Sequence, residues 1–195
     1  MARPREFEPE QALEQALHVF WEKGYEDTSF EDIVKATNVS RYGLYGAFGN
    51  KRDLFRKVLR QYADLFIHDY QAELRKPDAS LPQIREYFET LLLLGDSMLA
   101  GRGCMICNTA VEVAPHDAEI AAEIRTLFGE LVGVFRGALQ NAHDNGDISP
   151  ELSVDHWAVN LAALTQSSAV MARVGIKMAT IRKSIEAALG ALESK

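Results

Sequence analysis

The sequence predicts an all-α protein, and three observations lead to this fold class. Apolar residues recur with helical periodicity along most of the 195-residue chain, and strand patterns are nearly absent. Two short helical segments flank a tight turn near residues 37–40. Longer amphipathic segments follow from residue 50 onwards, and a chain of this length can bury a sizeable core.

Two helices are predicted before the tight turn. The first begins at Pro9 and ends before Gly24, because proline suits a first helical turn and glycine suits a C-terminal end. The second follows Thr28, which together with Glu31 has the spacing of a capping box. Asn38 ends this helix, since asparagine tolerates the left-handed conformation that a tight turn needs.

The third predicted helix contains glycines within its length. Ser40 is expected to cap it and Gly49 to end it. On a helical wheel, Gly43 and Gly46 lie with Tyr42 on the side opposite the apolar residues. Because glycine costs about 1 kcal/mol relative to alanine inside a helix, we infer that this side is bare so that the backbone can approach another surface. The two short helices and their turn have the organisation of a helix-turn-helix.

Charge is distributed unevenly along the chain. The net charge is −7, but residues 1–60 carry ten basic and ten acidic residues and therefore sum to zero. Residues 41–60, where a fourth helix is predicted from Asn50, hold six basic residues against Asp53 alone. This basic patch is typical of a nucleic-acid footprint, although an ordinary solvated helix face gives the same pattern. Its members are Arg41, Lys51, Arg52, Arg56, Lys57 and Arg60.

Other classes of protein lack support in the sequence. The five histidines show no H-E-x-x-H spacing and no G-x-S-x-G occurs, so we do not expect an enzyme. The glycines do not form a phosphate-binding loop, because no strand pattern precedes Ser40. No apolar run is long enough to span a membrane, and residues 1–11 lack the apolar region of a signal peptide. A purely structural helical module is the remaining alternative, but it does not require a basic helix.

The stretch GYEDTSFEDIVKATNVSRYGLYGAFGNKRDLF resembles the DNA-binding domain of the TetR family of bacterial transcriptional repressors, over about residues 8–60. The resemblance implies a helix-turn-helix DNA-binding domain at residues 1–53 and a larger helical ligand-binding and dimerisation domain at residues 54–195. It implies a ligand-responsive repressor in the bacterial cytoplasm that binds a near-palindromic operator as a homodimer, without a cofactor. The matching positions are Gly24, Tyr25, Thr28, Ile33, Ala36, Val39, Ser40, Leu44, Tyr45, Phe48, Lys51 and Leu54.

The same resemblance implies a set of DNA contacts. The third helix is expected in the major groove, where Arg41 is suited to a guanine edge. Thr28, Tyr45 and Lys51 match positions that hold the phosphate backbone, although Thr28 is also a cap and Tyr45 could belong to the core. Gly46 stands where the family often has a polar residue. The expected DNA-binding residues are Thr28, Ser40, Arg41, Tyr42, Gly43, Tyr45, Gly46 and Lys51.

The remaining chain is predicted to form longer helices that bind an inducer and a second copy. Coarse helices are expected at residues 50–75, 82–101, 103–113, 117–143, 152–173 and 178–193. The last two carry apolar faces that by themselves indicate ordinary core. With the resemblance, they imply a four-helix dimer interface formed by Trp157, Leu161, Leu164, Ile181, Ile185 and Leu192.

The segment GRGCMICNTAVEVAPHD, residues 101–117, falls where the resemblance places the inducer. A small, largely apolar molecule is expected there. The expected lining is Met98, Cys104, Met105, Cys107, Phe128 and Phe135, with Ile106 and Val111 beside them.

The two cysteines of this segment leave alternatives open. Cys104 and Cys107 have the spacing of half a zinc site or of a redox pair, but a single pair is weak evidence for either. No second Cys or His pair stands at metal-ligand spacing, so no metal site is expected and burial as small apolar residues is favoured. Cys104 follows Arg102 near a predicted helix N-terminus, and both features lower the pKa of a thiol. A sensor role for Cys104 is therefore a second hypothesis.

Overall fold

The described residues of the computed structural model, 7–97 and 100–193, are helical, which confirms the all-α prediction. Nine α-helices occur in these two ranges, and none of them is long and apolar enough to cross a membrane. They are α1 (Pro9–Lys23), α2 (Phe30–Thr37), α3 (Arg41–Phe48), α4 (Lys51–Tyr62), α5 (Leu81–Gly95), α6 (Met105–Glu112), α7 (Ala118–Asp144), α8 (Val154–Arg173) and α9 (Met178–Glu193). A π-helical segment, Ala63–His68, continues α4, and turns replace the helix predicted up to residue 75.

The start of α2 differs from the prediction by one residue. Ser29 is the N-cap: its hydroxyl accepts from the Asp32 N–H at 3.1 Å, and the Asp32 carboxylate accepts from the Ser29 N–H. The predicted capping box of Thr28 with Glu31 is therefore wrong. The Thr28 hydroxyl instead donates to the Gly24 carbonyl at 2.6 Å.

The other boundaries of the N-terminal helices follow the sequence signals. Asn38 has a φ of 52° between α2 and α3, so the predicted left-handed turn is confirmed. The Ser40 hydroxyl accepts from the Gly43 N–H and caps α3, while Gly49 ends that helix with a φ of 85°. Asn50 caps α4 in a reciprocal capping box, as predicted.

Two apolar cores are present, and the first extends beyond the N-terminal helices. It joins α1–α4 with Met105 and Ile106 of α6 and with Ile120 and Ile124 of α7. The predicted boundary between residues 53 and 54 lies in the first turn of α4, which is continuous across it. Helices α6 and α7 therefore share a core with helices α1–α4.

The second core lies among α5, α7, α8 and α9. Phe135 is buried there, with its ring stacked 5.8 Å from that of Phe88. Four residues predicted at a dimer interface belong to this core and are 0–2% exposed: Leu161, Ile181, Ile185 and Leu192. The side chains of these four residues are already covered by other parts of the chain, so they have no exposed surface for a dimer contact. Trp157 and Leu164 are half-buried against the same core.

Candidate functional site

Helix α3 presents one exposed face. Leu44 and Phe48 are buried against the first core, while the Tyr42 side chain on the other side is 90% exposed. Arg41 and Gly46 are exposed on the same helix. The short turn at Asn38 and the Ser40 cap fix the direction of α3, so a face with few intramolecular contacts projects from the protein.

Aromatic rings hold Arg41 in place at the N-terminal end of α3. The Tyr45 ring stacks on the Phe30 ring, with 4.3 Å between the centroids. The Arg41 guanidinium lies 5.7 Å from the Phe30 centroid and 5.9 Å from the Tyr45 centroid. Its Nη1 atom also lies 2.8 Å from Glu31 Oε1 in an exposed ion pair. Such exposed pairs are weak, so Arg41 can exchange Glu31 for an external acceptor at small cost.

The two glycines inside α3 have different surroundings. A Cβ atom at Gly46 would meet nothing within 4 Å among the described residues, which makes the backbone there open to an approaching surface. A Cβ atom at Gly43 would lie 3.1 Å from Val39 Cγ1 and 3.3 Å from the Phe7 ring. Gly46 therefore has the bare surface that the sequence predicts, whereas Gly43 lies partly under neighbouring side chains.

Two residues predicted to hold phosphates differ in availability. Thr28 is 1% exposed and its hydroxyl is already bonded to Gly24, so this side chain has no free donor. Lys51 lies over the Tyr25 ring at 4.5 Å and donates to the Glu26 carbonyl at 3.2 Å. Within the described residues Lys51 has no carboxylate partner, so its charge remains available to an external anion.

Three of the six residues of the basic patch form ion pairs with acidic residues at the start of α7. Arg52 contacts Asp117 at 2.6 Å, and Arg56 and Arg60 contact Glu123, from α4 to the start of α7. The ion pairs between α4 and the start of α7 involve Arg52, Arg56, Arg60, Asp117, Glu119 and Glu123. The Arg52 guanidinium holds the pKa of the Asp117 carboxyl well below its usual range.

Sequence reasoning missed this interhelical contact. The arginines recur every four residues on α4, and three acids lie within two turns at the start of α7. Each set was visible in the sequence, but their proximity depends on how α4 and α7 pack.

A cavity of about 90 Å³ lies between the first core and helices α5–α8. Cys104, Cys107 and Phe128 line it, together with Ile106. The other lining residues are mostly apolar or aromatic: Trp21, Tyr62, Phe66, Ile67, Tyr70, Gln71, Tyr87, Leu91, Leu94, Leu127, Leu131, Thr165, Gln166 and Ala169. The arrangement suits a small apolar molecule with a few polar contacts.

Other expected lining residues lie elsewhere. Met105 is buried in the first core and Phe135 in the second. Val111 is 80% exposed. Met98 falls outside the described residues. The residues that sequence reasoning missed come from α1, α4, the π-helical segment and the turns after it, α5, α7 and α8. Most of them lie far from residues 101–117 in the chain.

The two thiols in the cavity lie three positions apart at the start of α6, and each shifts the pKa of the other. The Cys107 thiol donates to Cys104, which lowers the pKa of Cys104 to about 6 although burial opposes the shift. The same contact raises the pKa of Cys107. Tyr62, whose pKa is raised by burial, also donates to Cys104. The sequence predicts that Arg102 lowers the pKa of Cys104, but the main cause of the lowered pKa is Cys107. The Arg102 guanidinium lies over the Trp21 ring, 5.7 Å from its centroid.

The segment from Gly103 to Glu112 is attached to α1 and to the turn before α2 at its two ends. The Trp21 indole N–H donates to the Gly103 carbonyl at 2.8 Å in a buried contact. At the other end, the Glu112 carboxylate accepts from the backbone N–H groups of Tyr25 and Glu26 at 3.1 Å and 2.8 Å. Helix α6 thus spans from the cavity to the turn that precedes α2.

Two family models match the chain. Residues 12–58 match the model described as bacterial regulatory proteins of the tetR family, and residues 80–188 match the tetracyclin repressor-like C-terminal domain. Among the described residues, no cluster of three or more His, Cys, Asp or Glu side chains is arranged to hold a metal ion.

Relatives and solved structures agree with these matches. The HTH-type transcriptional repressor ComR of Escherichia coli K12 is 30% identical over 177 residues, covering 90% of this chain and 84% of ComR. The uncharacterised HTH-type regulator YezE of Bacillus subtilis 168 is 30% identical over 195 residues, covering 99% and 100%. A cysteine mutant of the TetR family regulator CifR, solved with 26-bp double-strand operator DNA, has a TM-score of 0.85 at 25% identity and covers 97% of this chain and 99% of that chain. The chain therefore belongs to the TetR family of bacterial regulatory proteins, and it is a DNA-binding transcriptional regulator.

Proposed function

We propose that this regulator is a repressor that binds a near-palindromic operator as a homodimer and releases it when a small, largely apolar effector occupies the cavity. The observation that carries the proposal is the double attachment of residues 103–112. This segment lines the cavity with Cys104 and Cys107 and contacts the DNA-binding helices through Gly103 and Glu112. A change in the cavity can therefore move the helices that carry α3.

The DNA contacts follow from the free face of α3. We assign Arg41 to a guanine edge, because its planar guanidinium offers two parallel donors. Tyr42 and Tyr45 are placed for phosphate or thymine contacts, and Lys51 for a phosphate. The bare backbone at Gly46 allows α3 to lie close to the base edges, and Ser40 and Gly43 stand beside these residues. Thr28 contributes through its backbone position at the start of α2.

The dimer contact is proposed on the exposed face of α8 and α9. Val159 and Val170 on α8 are 55% and 52% exposed, and the small residue Ala163 is exposed between them. Ala187 is exposed on α9. Exposed apolar patches of this kind mark interaction sites, and small side chains let helices approach closely. Trp157 and Leu164 remain proposed at the edge of this face.

Switching requires that effector and DNA favour different conformations of the dimer. An effector that binds one conformation more tightly shifts the population towards it, and the coupling between the two sites is reciprocal. Helix α4 begins beside α3 and continues into the π-helical segment that lines the cavity with Phe66 and Ile67. It provides a second connection from the cavity to the recognition helix.

The relatives are regulators rather than enzymes, and we propose that this protein likewise has no catalytic role and no resident cofactor. We place it in the bacterial cytoplasm with its DNA. The division into residues 1–53 and 54–195 is proposed as functional, since α4 and the first core are shared across it.

Selection from a random double-stranded DNA library, combined with footprinting upstream of the protein's own gene, tests this function. We expect enrichment of a near-palindrome with half-sites about one helical turn apart, and binding that weakens steeply as salt rises. A protein that is folded and dimeric yet enriches no sequence would contradict the proposal.

A further inference from the structure

Both cysteines of the chain line the cavity, and reversible binding of an apolar effector makes no use of their chemistry. Cys104 is the N-cap residue of α6 and Cys107 lies in the first turn of the same helix. Free cysteines that serve only as core residues are chemically inert. Here both residues line a cavity and lie within one turn of each other.

We propose that Cys104 and Cys107 form a dithiol switch, which a small hydroperoxide oxidises to a disulfide with release of the operator. The proposal rests on the proposed repressor function and names the class of effector for the same cavity. Cytosolic disulfides of this kind are typically transient and redox-sensing.

The first step takes place at Cys104. Its sulfur attacks the distal oxygen of the hydroperoxide, the O–O bond breaks, and the alkoxide leaves as the alcohol after taking one proton. Cys104 becomes a sulfenic acid. The hydrogen bonds from Cys107 and Tyr62 stabilise the Cys104 thiolate, which is the nucleophilic form. The apolar walls suit a hydroperoxide that carries a small alkyl group.

The second step takes place at Cys107. Its sulfur attacks the sulfur of the Cys104 sulfenic acid, the new S–S bond forms as the S–O bond breaks, and the leaving hydroxide takes the Cys107 proton as water. Overall, two thiols and one hydroperoxide give one disulfide, one alcohol and one water. The two cysteines lie three positions apart at the start of α6, on one side of its first turn, so the bond forms with a local adjustment there.

The position of the pair explains how oxidation reaches the DNA-binding helices. Cys104 immediately follows Gly103, whose carbonyl accepts the Trp21 hydrogen bond. A disulfide tightens the first turn of α6 and changes the direction of that carbonyl. At its other end α6 carries Glu112, which holds the turn before α2. Both contacts lie on the path to α3.

The experiment treats wild-type protein, Cys104→Ser and Cys107→Ser with one equivalent of tert-butyl hydroperoxide. The double serine variant is a thiol-free control, because the chain has no other cysteine. Intact mass spectrometry, thiol alkylation and operator anisotropy are read on each sample. For wild type we expect a mass loss of two hydrogens, two thiols protected from alkylation, and an affinity lowered by about tenfold or more that dithiothreitol restores.

The variants separate the two steps. Cys107→Ser should gain one oxygen and remain a sulfenic acid that dimedone traps. Cys104→Ser and the double variant should keep both their mass and their operator affinity. If a serine variant is unfolded by circular dichroism, wild type before and after reduction gives the same comparison.

A pH profile of alkylation identifies the reactive thiol independently of DNA. The groups that act on Cys104 are Tyr62 of α4, Tyr87 of α5 and Cys107 of α6. Because the Cys104 pKa is lowered to about 6, the wild-type alkylation rate should reach half its plateau near that pH. In Cys107→Ala the midpoint should move upwards, since the main hydrogen bond to the thiolate is lost.

Two results would overturn the proposal: no disulfide after stoichiometric hydroperoxide, or a disulfide that leaves operator affinity unchanged. Failure of the reduced wild-type protein to bind any operator would instead contradict the repressor function, and the mass measurement would still decide whether the dithiol is oxidised.

Discussion

The DNA-binding helices have two surfaces with opposite properties. The outer surface, formed by the exposed residues of α3 and by Lys51, has few internal partners, and Tyr42 is almost fully exposed. The inner surface, formed by Trp21, Tyr25, Glu26 and the arginines of α4, is bonded to α6 and α7. We propose that the outer surface binds DNA and that the inner surface transmits changes from the rest of the protein.

The largest expected effect is a loss of folding stability when a contact of the inner surface is removed. Trp21→Phe removes the buried hydrogen bond to the Gly103 carbonyl and part of the packing with Tyr62. We expect a loss of about 2–4 kcal/mol in the free energy of unfolding, measured by denaturant titration. Trp157→Phe is the matched control, because Trp157 is half-buried and should cost less. Equal losses of stability in the two variants would show that the Trp21 contact with Gly103 stabilises the protein no more than ordinary packing does.

The next effect concerns recognition at the outer surface. Arg41→Ala should reduce operator affinity by about 1–3 kcal/mol per half-site and relax the preference at one base pair, because the guanidinium contact is lost. Arg41→Lys retains the charge but not the paired donors, so it should also relax the preference. Competition binding against single-base operator variants measures both. An Arg41→Ala protein with unchanged base preference would remove Arg41 from direct recognition.

A smaller effect tests whether the open space at Gly46 is needed for DNA binding. Gly46→Ala should stabilise the protein by about 0.5–1 kcal/mol because alanine is the better helix former, and its methyl group meets nothing in the free protein. The same methyl group should weaken operator binding, since it lies between α3 and the groove. Gly129→Ala on α7 has equally open surroundings and should stabilise without affecting DNA. Thermal unfolding and anisotropy test both variants, and normal binding by Gly46→Ala would contradict a close approach.

The sequence predicted local features well and long-range contacts poorly. The cap at Ser40, the turn at Asn38 and the glycine at the end of α3 depend on neighbouring residues, and each was predicted correctly. The shift from Thr28 to Ser29 arose because both residues can cap, and only the packed structure directs the Thr28 hydroxyl to Gly24.

Interfaces were predicted less well, for a physical reason. An apolar stripe on a helix has the same pattern whether it faces the chain's own core or a second copy. Ile181 and Ile185 of α9 therefore could not be assigned from periodicity, and the structure places them inside the chain. The arginines of α4 could not be assigned either, because a basic sequence does not show whether DNA or acidic residues of the same chain pair with it. Cys104 and Cys107 were predicted in the cavity, but their mutual hydrogen bond depends on the start of α6.

The salt dependence of operator affinity tests the central contrast between the two surfaces most directly. Lys51→Ala at the outer surface and Arg56→Ala at the inner surface each remove one positive charge per chain. We predict that Lys51→Ala reduces the slope of log affinity against log salt by about one unit per half-site, because one phosphate contact is lost. Arg56→Ala should leave the slope at the wild-type value, since its partners are Glu119 and Glu123. An equal reduction of the slope in both variants would show that the α4 arginines bind DNA and would contradict the account.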